Sequence, residues 1–175
     1  SSAASDVYKR QPGVPVAPPL PSMLRVTDHS IALTATHIAR SLAAAEGSAA
    51  PFPHFFARGL FPDVVYAALR QQFNARLDWE DLIHKDATRK DGSSSRKVIS
   101  LNSMFVDALK DGAERRFWTS MLEVLGGDTV RRAVFAALQQ DESQYIGEFE
   151  ILLINDEHDY KIHPHPDAPQ KSITI

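Results

Sequence analysis

Apolar residues recur at helical spacing through much of this chain, separated by shorter runs of extended character. Ile31, Ala35, Ile38 and Leu42 fall on one helical face, which predicts a packing helix capped by Asp28 or Ser30 and stopped at Gly47. Phe61, Val65, Leu69 and Phe73 make a second stripe, with Pro62 and Asp63 suited to its first turn. A third helix carries Phe117, Met121, Val124 and Leu125 and ends at Gly126-Gly127. The next starts at Asp128 and carries Val130, Val134 and Leu138. All four patterns are those of scaffold.

The extended segments are fewer and cluster late. Ala49 to Phe56 is short, aromatic and broken by proline, as an edge strand would be. Val98 to Leu101 predicts another short strand. Glu148 to Ile154 (EFEILLI) begins with alternation and becomes wholly apolar, the pattern of a strand entering a sheet covered on both faces. A polar turn is expected at Asn155 to Asp159. A second extended segment follows with Tyr160, Ile162 and the run His-Pro-His-Pro-Asp, and Ser172 to Ile175 begins a third. Lys85 to Lys97 (KDATRKDGSSSRK) is charged, small and glycine-containing, which predicts a mobile surface loop, with a substrate lid as the alternative. Helices first and strands last, without strand-helix alternation, predict an α+β fold: a helical layer packed on a mainly antiparallel β structure.

Composition narrows the chemistry. The 175 residues are 43% hydrophobic and 23% charged, enough for one core. A net charge of -3 and a pI near 6.1 give no basic face for a phosphate backbone, so a nucleic-acid partner is not expected. The absence of cysteine leaves only His, Asp and Glu as metal ligands. No apolar run is long enough to span a bilayer, because the most hydrophobic helical stretch, 31–45, carries His37 and Arg40. No membrane partner is expected, and the default location is cytoplasmic. Pro12 to Pro21 reads as a polyproline-like arm, so residues 1–22 are expected to be a disordered arm and 23–175 a single domain. Within the arm, Asp6-Val-Tyr-Lys-Arg-Gln11 matches the translation of GATGTGTATAAGAGACAG, a transposon end used to tag sequencing libraries. Residues 1–11 are therefore expected to be an adapter artefact, and the chain is read as C-terminally truncated.

The chemistry concentrates in the last sixteen residues, Tyr160 to Ile175. A two-residue step along a strand returns side chains to one face, so the imidazole of His165 and the carboxylate of Asp167 can close on a single ion. Such a pair is two thirds of the 2-His-1-carboxylate triad that holds Fe(II) with open coordination positions. Pro164, Pro166 and Pro169 fix their own φ and stiffen the backbone at the ligand positions. By spacing alone His163 and His165 could be the ligating pair instead, as in a cupin-type site, although 168–171 supplies no glutamate. An exposed proline turn with idle histidines also stays open. His29, His37, His54, His84 and His158 stand singly among unlike neighbours and are expected to be surface or packing residues.

The run Tyr160-Lys-Ile-His-Pro-His165-Pro-Asp167-Ala-Pro-Gln-Lys171-Ser-Ile-Thr174 resembles the first metal-binding strand of the 2-oxoglutarate and Fe(II)-dependent oxygenases of the prolyl-hydroxylase-like superfamily. Those read Gly-Tyr-x-Ile-x-Pro-His-x-Asp, with a proline, a lysine and a threonine downstream. Pro51-Phe-Pro-His-Phe-Phe56, followed by Phe61-Pro-Asp-Val-Val-Tyr-Ala-Ala-Leu69, is similar to the opening strand and helix of the same proteins. The resemblance implies N-terminal helices on an incomplete double-stranded β-helix, a jelly-roll or cupin-like architecture. It implies metal ligation by His165 and Asp167, with His163 as a neighbour. Tyr160 matches the family tyrosine at the position of a contact to the oxoacid, with packing against Ile162 as its other role. Fe(II) and the co-substrate 2-oxoglutarate would be the cofactors, ascorbate a candidate reductant, and the reaction hydroxylation of a C–H bond in a small-molecule or peptide substrate. Asp159 replaces the usual glycine. No His follows His165 and no Arg follows Asp167, so the distal ligand and the oxoacid anchor are absent from this sequence, and Lys171 lies beside the first ligand strand. The chain as written is expected to bind iron weakly and not to turn over. The other classes left open are a cupin-type metal enzyme using His163 and His165, and a non-catalytic β-fold binding domain.

Overall fold

The computed structural model describes residues 28–50, 52–75, 78–84, 87–145, 149–158 and 160. The expected arm over 1–22 and the segments carrying His163, His165, Asp167 and 172–175 lie outside the described residues. Helix α1 (Asp28–Ala43) buries Ile38 and Leu42, one turn apart, against Val124, Val130 and Val134 of the two helices that follow later in the chain. The expected stop at Gly47 does not hold. The helix ends four residues earlier, and Gly47 instead belongs to strand β1 (Glu46–Ser48), opposite Phe55 of strand β2 (His54–Phe56). The edge strand expected over Ala49 to Phe56 is therefore the second half of a small antiparallel hairpin.

Helix α2 (Asp63–Ala75) follows Pro62 as the sequence predicts, with the Tyr66 amide donating to the Pro62 carbonyl at 2.9 Å. Its stripe of Phe61, Val65 and Leu69 packs on the core, and Phe73 meets Trp79 edge-on at 4.8 Å. Helix α3 (Ser103–Ala108), which hydrophobic spacing did not announce, is opened by Asn102, whose side chain accepts from the Phe105 amide at 2.9 Å. Helix α4 (Gly112–Leu125) is capped by Asp111, whose Oδ1 accepts from the amides of Ala113 and Glu114. The turn into helix α5 (Asp128–Ala137) requires glycine at 127: a Cβ there would lie 2.6 Å from the Glu123 carbonyl.

The sheet has the order β3-β4-β5, antiparallel throughout, built from β3 (Glu80–Asp81), β4 (Arg96–Ser100) and β5 (Leu152–Asp156). Helices α3, α4 and α5 fill the connection between β4 and β5. Ile99 pairs with Leu153, and the Leu101 amide donates to the Ile151 carbonyl, so one face of the ladder is apolar. Leu101, Ile151 and Leu153 on that face join Ala68, Val106, Phe117, Met121 and Trp118 in the main core. Trp118 is 0% exposed and sits edge-to-face with Phe105 and Phe117. The molecule is thus mixed α+β, with a helical layer on an antiparallel sheet.

Three further expectations need correction. The strand predicted over Glu148 to Ile154 starts at Leu152, and it is covered on one face only: Leu152 and Ile154 are 37% and 41% exposed. Their side chains alternate with Leu153 by the two-residue period, so a continuous apolar run did not mean double burial here. The polar turn expected from Asn155 begins later, since Asn155 and Asp156 continue β5 opposite Lys97 and Arg96. Finally, the stretch 85–97 is not a solvated loop over its described part. Ala87, Ser94 and Ser95 are buried, Thr88 bridges to Ser94, and Arg96 and Lys97 belong to β4.

Candidate functional site

The described residues nearest in sequence to His165 and Asp167 are those that lead out of β5, and they are fixed by a polar network. The register puts Asp156 directly opposite Arg96. Arg96 grips it with both arms of its fork, Nε to Oδ1 at 2.5 Å and Nη2 to Oδ2 at 2.7 Å. The carboxylate so held raises the guanidinium above its already high ordinary pKa, against a partial desolvation that lowers it. The same guanidinium lies over the ring of Tyr160, with Cζ 4.0 Å from the centroid, a close cation–π contact. Tyr160 reaches that position because the chain turns there: its amide donates to the Glu157 carbonyl at 2.9 Å.

Glu157 ties this turn to the other arm of the sheet. Its amide donates to the Ser95 carbonyl at 2.9 Å, extending the ladder past β5. Its carboxylate accepts from Arg89 Nη2 at 2.7 Å, with Lys97 Nζ at 3.8 Å on the second oxygen. Arg89 in turn donates through Nη1 to the Ser94 carbonyl at 2.9 Å. The turn that carries Arg89 is closed by the Arg89 amide on the Ser93 carbonyl at 2.8 Å, and Gly92 takes φ +86°, a left-handed value suited to glycine. The buried Ser95 hydroxyl donates to the Ala87 carbonyl at 3.0 Å. Three cations and two carboxylates therefore fix the exit of β5 as far as Glu157.

Of the sequence-predicted site residues, Tyr160 sits at the end of the outer sheet face against Arg96, while His163, His165 and Asp167 lie outside the described residues. The expected packing partner of Tyr160, Ile162, lies outside them too. The other histidines are dispersed. His37 Nε2 is 2.9 Å from the Gly59 carbonyl, a contact that makes this nitrogen the N–H donor, and His54 Nδ1 is 2.9 Å from the Phe52 carbonyl. His158 is exposed at the turn after β5. Among the described residues no group of three or more His, Asp or Glu side chains could hold a metal ion.

Sequence reasoning missed Arg96, Asp156, Arg89 and Glu157, which it placed in a loop and a turn. The available signal was complementary charge: a basic tract over 85–97 and the acidic run Asn155-Asp-Glu-His-Asp159. A separate cleft of about 410 Å³ lies between α1 and the β1–β2 hairpin, lined by His37, Arg40, Ser41, Ala44, Glu46, Phe56 and Arg58. Comparison with protein-family models, with curated proteins and with solved structures finds no match for this chain. Among the described residues no helix is long and apolar enough to cross a membrane.

Proposed function

We propose that this chain is the N-terminal and first-ligand part of a non-haem Fe(II), 2-oxoglutarate-dependent dioxygenase that hydroxylates a C–H bond of a small molecule or peptide. One observation carries the reading beyond the sequence motif: the sheet leading to the motif is covered by helices on one face and open on the other. The open face presents Val98, Leu152 and Ile154, with Glu80 of β3 opposite Val98, and ends at Arg96, Asp156 and Tyr160. A jelly-roll built on such a sheet would enclose a site on the open face. Tyr160 stands five residues before His165, at the edge of that face.

The donor set suits the metal. A neutral imidazole from His165 and one carboxylate from Asp167 leave a divalent first-row ion with residual charge and open positions. When bound, iron would supply the activation of dioxygen and the coordination of the 2-oxoacid. The chain's own contribution is orientation. The Arg96 fork and the Arg89–Glu157 pair hold the strand exit, and the prolines at 164, 166 and 169 restrict the ligand-bearing backbone.

The decisive experiment recovers any coding sequence downstream of Ile175. A further β region with a His, followed several residues later by Arg or Lys, and 2-oxoglutarate-dependent succinate release by the extended protein support the assignment. A stop codon directly after Ile175, or a continuation without that His, overturns the catalytic assignment. The 175-residue chain itself is expected to bind Fe(II) weakly under anaerobic titration, to lose that binding in His165→Ala and Asp167→Ala, and to release no succinate.

A further inference from the structure

The cleft between α1 and the β1–β2 hairpin draws on none of the residues assigned above, since no side chain of β3, β4 or β5, nor Tyr160, lines it. Its construction follows from helix periodicity and strand register. His37, Arg40, Ser41 and Ala44 recur at three- and four-residue intervals and so share one face of α1 and its end. Opposite them, Glu46 and Phe56 are directly paired across the hairpin. The chain then passes through Arg58 to Gly59, whose carbonyl accepts from both His37 Nε2 at 2.9 Å and the Ser41 hydroxyl at 3.1 Å. Gly59 takes φ +58°, so the backbone can bring that carbonyl back to the helix. The wall carrying Arg58 is thereby clamped to the helix carrying Arg40.

Two guanidinium groups face this cleft, and among the described residues neither has a carboxylate partner. Arg58 instead lies over the Phe56 ring at 5.2 Å, and Phe56 is 58% exposed. An exposed aromatic residue beside forked donors that meet no carboxylate among the described residues is suited to a flat ligand bearing an anionic group. Charge decides which anion. Two guanidinium groups against the one Glu46 carboxylate leave the Arg and Glu side chains of the lining with one positive charge in excess, a match for a monoanion. A phosphate monoester, near two negative charges at neutral pH, would leave charge unbalanced beside Glu46. We propose that this cleft is a binding site for a small aromatic carboxylate, its carboxylate held by Arg40 and Arg58 and its ring against Phe56.

Benzoate, phenyl phosphate, inorganic phosphate and benzyl alcohol are the probes, titrated into the full chain and followed by calorimetry and by NMR of the arginine Nε–H and aromatic signals. Benzoate is expected to bind saturably and more tightly than phenyl phosphate, and benzyl alcohol and inorganic phosphate to bind at least about ten-fold more weakly than benzoate. Arg40→Gln and Arg58→Gln should each weaken benzoate about ten-fold, as expected for loss of a charge-assisted hydrogen bond. Both arginines are exposed, so folding should survive, and circular dichroism checks this. Glu46→Gln should narrow the preference by improving phenyl phosphate binding. Absence of saturable benzoate binding, or benzoate binding unchanged in both arginine variants, overturns the proposal. Tighter binding of phenyl phosphate or inorganic phosphate than of benzoate overturns the carboxylate assignment and makes the cleft a phosphate site.

Discussion

Around Trp118 the chain is held by apolar contact, whereas at the far end of the same sheet, around Arg96, it is held by charge. Trp118 packs in one cluster with Phe105, Phe117, Met121, Leu101 and Leu153, and among the described residues its buried indole Nε1 has no hydrogen-bond partner. Burial of the ring has to outweigh that unmade hydrogen bond, which costs about 1–3 kcal/mol. At the other end of the ladder Arg96, Asp156, Arg89, Glu157 and Lys97 satisfy one another, and every one of them keeps some contact with solvent. By its buried apolar area the first region is expected to contribute the larger share of the stability, and it holds no charge for salt to screen. The second contributes less, but it sets where Tyr160 and the strand exit stand.

The largest expected effect lies in the first region. Trp118→Ala should lower the unfolding free energy by about 3–5 kcal/mol, read from urea denaturation, because a cavity replaces a fully enclosed ring. Trp118→Phe should lose much less, since it removes the unpartnered N–H along with part of the ring. A loss from Trp118→Phe as large as that from Trp118→Ala would mean that the indole N–H has a partner and that the contrast is misdrawn.

A smaller effect is expected at Arg96. Arg96→Met removes two charge-assisted hydrogen bonds and the stacking on Tyr160 at a partly exposed site, for a loss of about 1–2 kcal/mol. Arg96→Lys should recover less than half of it, because an ammonium cannot present a planar fork to Asp156. In a cycle with Asp156→Asn the two substitutions should be non-additive. At about 1 M salt the Arg96→Met deficit should shrink while the Trp118→Ala deficit stays constant. Equal stability of the lysine variant and the parent would show that neither fork geometry nor stacking matters there.

The same contrast explains what the sequence made legible. The stripes of Phe61, Val65 and Leu69, and of Phe117, Met121 and Val124, are local and periodic, and each lands in the core as expected. Helix α3 was missed because its signal is a single cap, Asn102, on a helix too short to show a period. The Arg96–Asp156 and Arg89–Glu157 pairs join residues 60 and 68 positions apart, so no local pattern announces them, and charged tracts read as solvated by default. Single-faced coverage of β5 was likewise hidden. Leu152 and Ile154 are apolar on the open side, so alternation disappears from the sequence although it is present in the burial.

The smallest expected effect concerns a local motif that occurs twice, once beside the charged sheet end and once away from it. Asp91 and Asp141 each accept from the amide and the hydroxyl of the serine two residues on: Ser93 at 3.0 and 2.7 Å, and Ser143 at 3.0 and 2.8 Å. One lies in the turn beside Arg89 and the other follows α5. In both, the serine hydroxyl is the leading cause that holds the carboxyl below its ordinary value of 3.8, with the serine amide next. A pKa lowered in the folded state stabilises above the unfolded value, and the stabilisation is lost as pH falls through the folded value. Thermal unfolding between about pH 5 and pH 2 should therefore slope less steeply in Asp91→Asn, Ser93→Ala, Asp141→Asn and Ser143→Ala than in the parent. Salt should separate the pair. The charge of Arg89 adds to the lowering at Asp91, whereas at Asp141 the remaining lowering comes from the neutral Gln144 amide. Added salt should therefore trim the acid slope that depends on Asp91 and leave the slope that depends on Asp141 unchanged. Equal salt responses would mean that the Arg89 charge is not felt at Asp91, and that the ionic character of the sheet end stops at the Arg89–Glu157 pair.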